Sequence, residues 1–197
     1  MPIAKIHDQT VLFLHIPKTG GSSIERHLES VGELGLIGGC HRQQGLPCSP
    51  QHLHAAAIKK LFPERTFDWA FMVVRHPVER TISQYKYQIR KTGGLKVKLP
   101  FSLWLRYVFG RQRISPHYRD NHFLPQHLYE GFSADVFHFE NGIDSCIATI
   151  NRKFDLAPPT IAPWEKHSEP ISLDVSKADL ELIRSFYRED FNRYGYT

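Results

Sequence analysis

The sequence predicts a single α/β domain, residues 1–197, built on a mostly parallel central sheet flanked by helices. Three observations carry this reading. Apolar runs of strand length recur at Val11 to Ile16, Trp69 to Val74 and Val136 to Phe139. Segments of helical periodicity separate them. The first two runs each end in a turn with a basic residue, Pro17-Lys18-Thr19-Gly20-Gly21 and Arg75-His76-Pro77. With 197 residues, 41% of them hydrophobic, the chain can bury one substantial core, and it shows no internal repeat or low-complexity tract.

Taken in order, the strand Val11 to Ile16 opens onto a helix in which Ile24, Leu28 and Val31 share a face. Ser22 and Glu25 have the three-residue spacing of a capping box. Gly32 to Pro50 reads as a long irregular loop, the kind that is often functional inside a compact domain. A helical pattern follows over His52 to Phe62 and is stopped by Pro63. After the second strand, Pro77 suits a first helical position, with Val78, Ile82, Tyr85 and Ile89 on one face. Phe101 to Phe109 is a further apolar helix, and Arg111 to Gln126 carries turn signals. A helix over Ile143 to Lys153 follows the third strand. A proline-rich connector then leads to a last helix, with Ser176 and Asp179 as caps and Leu180, Ile183, Phe191 and Tyr194 on its apolar stripe.

The first strand–turn–helix unit predicts an anion site. Free backbone N–H groups and the positive helix end converge there, Gly20 and Gly21 leave room for an oxyanion, and Lys18, Thr19, Ser22 and Ser23 add a charge and hydroxyls. The loop is not a Walker A motif, because Lys18 precedes the glycines. Arg75 leaves the second strand at the same edge, where a guanidinium can fork onto a phosphate, and Ser83 lies on the helix side that looks back toward it. Two anion sites on neighbouring strand ends suggest a ligand with two separated anionic groups.

Composition narrows the partners. The net charge of +5 is spread along the chain, whereas a nucleic-acid binder would cluster it, so no nucleic-acid partner is expected. No stretch reaches the roughly 18 apolar residues of a membrane span, and the N-terminus lacks a signal-peptide pattern. Three cysteines, an odd number, suit a reducing compartment, and the expectation is a soluble cytoplasmic protein. Cys40, Cys48, His52 and His54 could be read as a metal cluster, but their spacing is not that of a zinc knuckle and no metal is expected.

His15-Ile16-Pro17-Lys18-Thr19-Gly20-Gly21-Ser22-Ser23, followed by Arg75, Pro77, Arg80, Ser83 and Tyr85 in the pattern RxPxxRxxSxY, resembles the sulfotransferases that use 3′-phosphoadenosine 5′-phosphosulfate. The branch it is most similar to is the carbohydrate type related to heparan sulfate sulfotransferases. Asp120 to Gln126 is similar to that family's NHxxPQ segment, and Leu180 to Tyr196 to its terminal YxxDFxxxGY helix. The resemblance implies a P-loop-like sulfotransferase fold. It also implies that Lys18, Thr19, Gly20, Gly21, Ser22 and Ser23 bind the 5′-phosphosulfate and that Arg75 and Ser83 hold the 3′-phosphate. Lys166 and Ser168 fall where relatives send a loop over the nucleotide, and His122 and Gln126 are implied acceptor-site residues.

Transfer of a sulfuryl group to a hydroxyl, expected on a saccharide, needs in-line alignment, charge stabilisation on the leaving side and a base on the entering side. Lys18 serves the leaving side, and His52 or His54, between the two nucleotide loops, serves as the base. His15 reads as a buried, hydrogen-bonded histidine. Two other readings stay open: a small-molecule kinase, for which Glu140 is the one carboxylate placed to hold Mg²⁺, and a nucleotide-binding module without turnover.

Overall fold

The computed structural model describes residues 1–36, 45–91, 99–157 and 173–197. Lys166, Ser168 and Cys40 lie outside the described residues. Five strands form one sheet in the order β3-β1-β2-β4-β5, with β1 Ile3–Ile6, β2 Gln9–Leu14, β3 Glu33–Gly35, β4 Trp69–Val74 and β5 Asp135–His138. The core is parallel as the alternating pattern predicts: β2 pairs with β4 and β4 with β5 in the same direction. Two short antiparallel strands, β1 and β3, extend one edge beyond it.

β4 lies between β2 and β5 with all six residues buried, which is why it reads as an unbroken apolar run. Strand alternation sends its side chains to two cores. Leu12, Leu14, Ala70, Met72 and Val74 meet Leu53, Ile58 and Tyr129 on one face. Val11, Phe13, Trp69, Phe71 and Val73 meet Ile24 and Leu28 of α1 (Gly21–Val31) and Cys146 and Ile150 of α5 (Ile143–Lys153) on the other. The rings of Phe13, Phe71 and Trp69 stack across β2 and β4 at centroid separations of 4.9 and 4.6 Å. A third core joins α3 (Pro77–Lys91) and α4 (Phe101–Ile114) to the C-terminal helices.

Three helices differ from the periodicity. The His52 to Phe62 pattern yields only a single-turn helix at Pro50–His52 and α2 at Ala55–Ile58, because Leu53 and His54 adopt extended backbone. α4 continues past Phe109 to Ile114, and the last helix is divided at Tyr187 into α6 (Lys177–Phe186) and α7 (Arg188–Tyr194). At the start of α6 the expected capping box is present in both directions, Ser176 Oγ accepting from the Asp179 N–H and Asp179 from the Ser176 N–H, each at 3.2 Å.

The box predicted at the start of α1 does not form. The helix begins two residues earlier, with Gly20 as its N-cap in the left-handed region at φ 84° and no side-chain cap. Glu25 is drawn away by a stronger partner, the buried imidazole of His15.

Candidate active site

The parallel strands β2 and β4 end side by side, so the loops after them meet: Arg75 Nη1 donates to the Lys18 carbonyl at 3.4 Å. In the first loop Lys18 has φ 73° and Gly20 φ 84°, a backbone path that turns the chain sharply into α1. The first amides of α1 have no acceptor within the helix. The glycines also answer a packing demand that the sequence did not suggest. A Cβ on Gly21 would run into the His15 ring, and one on Gly20 into Ile143 and Phe139, so their missing side chains let the loop lie flat on the protein. Thr19 is fully buried, and its hydroxyl donates to the Ile16 carbonyl at 2.8 Å, closing the loop internally. Ser22 is exposed and Ser23 partly exposed at the helix start.

Beneath the loop runs a polar network. His15 Nδ1 and Glu25 Oε1 are 2.6 Å apart, and Gln51 Nε2 donates to both Glu25 oxygens at 2.7 and 2.9 Å. Burial holds the His15 imidazole below its ordinary value of 6.5, against the opposing pull of Glu25. Burial would raise the Glu25 carboxyl, but the hydrogen bonds from His15 and Gln51 and the fields of His15 and His52 together lower it.

Gln51 precedes His52, and His52 carries the second half of the network. Its ring is 8% exposed, and Nδ1 lies 2.7 Å from Asp120 Oδ2. Asp120 also accepts from the Ser49 N–H at 2.6 Å and the Ser49 hydroxyl at 2.8 Å. Burial opposes ionisation of Asp120, yet these hydrogen bonds prevail and hold its carboxyl far below the usual carboxylate range. An ionised carboxylate on Nδ1 keeps the proton there and leaves the Nε2 lone pair as the acceptor. Asn121, fully buried, donates to the His52 carbonyl at 2.9 Å and anchors the same segment.

The dyad is connected to Lys18 by a short series of rings. His52 meets His122 edge-on at 5.0 Å, His122 stacks on Tyr87 at 6.0 Å, and Lys18 Nζ lies 4.3 Å from the Tyr87 centroid. Burial, then the fields of His52, Lys18 and Arg80, push the His122 imidazole well below 6.5. Its Nδ1 is 2.8 Å from Gln84 Oε1.

At the second strand end, the Arg75 guanidinium lies over the Phe139 ring at 4.3 Å, and its Nε is buried with no hydrogen-bond partner. Burial lowers its pKa from the ordinary arginine value, as expected of a cation short of counter-charge. Gln126 is fully buried and brackets Arg75 on both sides of its backbone, accepting from its N–H at 2.9 Å and donating to its carbonyl at 2.8 Å.

The family model described as "Sulfotransferase family" matches residues 4–197 of the chain. The chain belongs to the sulfotransferase family. Among curated proteins and among solved structures, none matches it. Membership supports sulfuryl transfer in general as the chain's chemistry.

In this sulfotransferase the structure brings Lys18, His52, His122 and Arg75 to one edge of the sheet and separates other residues the sequence grouped with them. His54 turns away from the dyad: its ring faces His117 at 5.5 Å and its Nδ1 is buried without a partner. Burial and His117 lower its pKa. Gln126 spends its amide on the Arg75 backbone, and Ser83 lies partly buried on α3. Of the four residues in the possible metal cluster, Cys48 is buried and accepts from the Asn121 amide, which leaves it no role beside His54. Glu140 is engaged within the protein, accepting from the His76 N–H at 2.7 Å and the Tyr196 hydroxyl at 3.0 Å.

Four residues escaped the sequence reading. Asp120 orients His52, Glu25 and Gln51 brace the loop, and Tyr87 links Lys18 to His122. Arg80, fully buried, is a further strut: its guanidinium donates to the carbonyls of Pro17, His122 and Leu124 and so ties the phosphate loop to the segment that follows Asp120. Arg80 stands in the motif that the sequence displays, and Asp120 opens the NHxxPQ-like segment, but neither position signals its distant partners.

No helix among the described residues is long and apolar enough to cross a membrane.

Proposed function

We propose that this sulfotransferase moves a sulfuryl group from 3′-phosphoadenosine 5′-phosphosulfate to a saccharide hydroxyl, with His52 as the base. The observation that carries the proposal is the His52–Asp120 pair, at 2.7 Å, reached from Lys18 through Tyr87 and His122. A proton acceptor and a charge donor thereby flank one space at the strand ends, the arrangement an in-line transfer needs.

The residues suit a nucleotide with two anionic ends. Lys18 and the amides at the start of α1 match the 5′ end, with Ser22 and Ser23 beside them. The unpartnered, buried Nε of Arg75 matches a 3′-phosphate, with Ser83 on the adjoining helix as a second donor. When bound, the nucleotide supplies an activated sulfuryl group on a phosphate leaving group. Lys18 then stabilises charge on the leaving side. His52 Nε2 accepts the proton of the entering hydroxyl, and Asp120 stabilises the imidazolium that results. His122 stands at the acceptor side, held by Gln84, while Gln126 acts on the site by fixing the backbone of Arg75. The choice of a saccharide is supported by the similarity of the PKTGGSS loop to the carbohydrate-type branch.

The test pairs a binding and a transfer measurement. Calorimetry should show adenosine 3′,5′-bisphosphate bound well and ATP poorly. A panel of saccharides incubated with labelled sulfate donor should yield a sulfated product by mass spectrometry. Preference for ATP would overturn the donor assignment. Bisphosphate binding with no product from any hydroxyl acceptor would point instead to a module without turnover.

A further inference from the structure

We propose that His52, Asp120 and His122 form a binding site for a zinc-class divalent cation, whose occupation competes with sulfuryl transfer. One ligand atom from each residue lies within 4.8 Å of the other two. A tetrahedral zinc ion, with bonds of about 2.0–2.1 Å, needs donors about 3.3 Å apart, so small side-chain movements close the set. Two imidazoles and one carboxylate are a donor set for zinc and its neighbours in the transition series, not for Mg²⁺ or Ca²⁺. The outer shell has the form that ligating histidines use. His122 Nδ1 faces the Gln84 carbonyl oxygen at 2.8 Å, which points the Nε2 lone pair toward the cluster. Asp120 is held by Ser49, and the 2.7 Å approach of His52 Nδ1 to Asp120 Oδ2 already sets two of the donor residues side by side. Asp120 is partly exposed and gives an ion a path from solvent. Coordination would take up the imidazole and carboxylate that serve the entering hydroxyl, hence the competition.

The site shares His52 and Asp120 with the transfer proposed above but rests on donor geometry. A cation that binds while no transfer is ever detected leaves this inference standing, and absence of binding leaves the transfer reading untouched. The experiment titrates chelator-stripped protein with Co²⁺, followed by its visible d–d absorption, and with Zn²⁺ in a calorimeter. The expected result is one saturable site, Co²⁺ displaced by Zn²⁺ and indifferent to Mg²⁺. His122→Gln should weaken binding by more than tenfold and Gln84→Leu by about tenfold. Removal of an exposed histidine, His7→Ala, should change nothing. Circular dichroism checks each variant, and should His122→Gln fail to fold, the wild-type titration and Gln84→Leu decide. No saturable binding in wild type, or equal binding in wild type and the folded variants, overturns the proposal.

Discussion

The two strand ends that face each other across this site are built differently. At the end of β2 the polar side chains beneath the loop are paired in series: His15 has Glu25, Glu25 has Gln51, and the next residue, His52, has Asp120. At the end of β4 the Arg75 guanidinium rests on Phe139, with a buried Nε unpartnered and Glu79 no nearer than 3.9 Å. The first end is a finished network that holds reactive groups in place. The second is a cation awaiting an anion. Preorganisation belongs where charge moves, whereas a site that only holds a ligand can leave its counter-charge to that ligand.

The largest expected effect tests the finished end. Lys18→Ala should lower turnover by about 10²–10³, the loss seen when one preorganised donor is removed, with an unchanged circular dichroism spectrum. A variant that keeps half its activity would remove the loop from the mechanism. At the other end, Arg75→Ala should cost about 2–4 kcal/mol in binding adenosine 3′,5′-bisphosphate and almost nothing in binding AMP. Calorimetry with both nucleotides reads this directly, and equal affinity of wild type for the two would refute the waiting-cation view.

The comparison sharpens between two histidines in one segment. His52→Ala should reduce turnover by about 10² with bisphosphate affinity preserved, whereas His54→Ala should cost less than about threefold. A reversed ranking would move the base to His54.

The smallest effect is on stability. His15 and His122 are both held below 6.5 in the folded chain, so on acidification the unfolded chain takes up protons that the folded one refuses. Stability from this source is complete above 6.5 and declines as pH falls below it. Melting temperature should drop by a few degrees between about pH 7.5 and about pH 5.5, in line with the roughly 2–4 °C that 1 kcal/mol is worth at this size. A flat profile over that interval would show that neither imidazole is neutral for lack of solvent.

How much of this was legible in the sequence depended on whether the cause was local. β4 and α5 have the bounds their apolar patterns predict, because burial on one or both faces imposes a period on the chain. β1 and β3, with four and three residues, are too short to show a period, and Lys5 and Glu33 interrupt them. In the site, Lys18 and Arg75 stood out because a strand end and a turn mark them. Asp120 did not, since its partner His52 is 68 positions away and nothing nearby signals a carboxylate with a distant imidazole. Glu25 resembled a helix cap for the same reason. The spacing was right, and the buried ring that claimed it lies ten residues back.

Arg119, Asp120 and Asn121 all have positive φ, at 47°, 62° and 63°. That run restricts which sequences can fulfil the role of the dyad. Left-handed backbone costs most residues about 1–2 kcal/mol and is borne most readily by glycine, asparagine and aspartate. Position 120 therefore answers to two demands at once, a carboxylate for the imidazole and a residue type at ease in that twist. Glutamate meets the first and asparagine the second, but aspartate alone among the coded residues meets both. The narrowness of the choice comes as much from the shape of the main chain as from the reaction it supports.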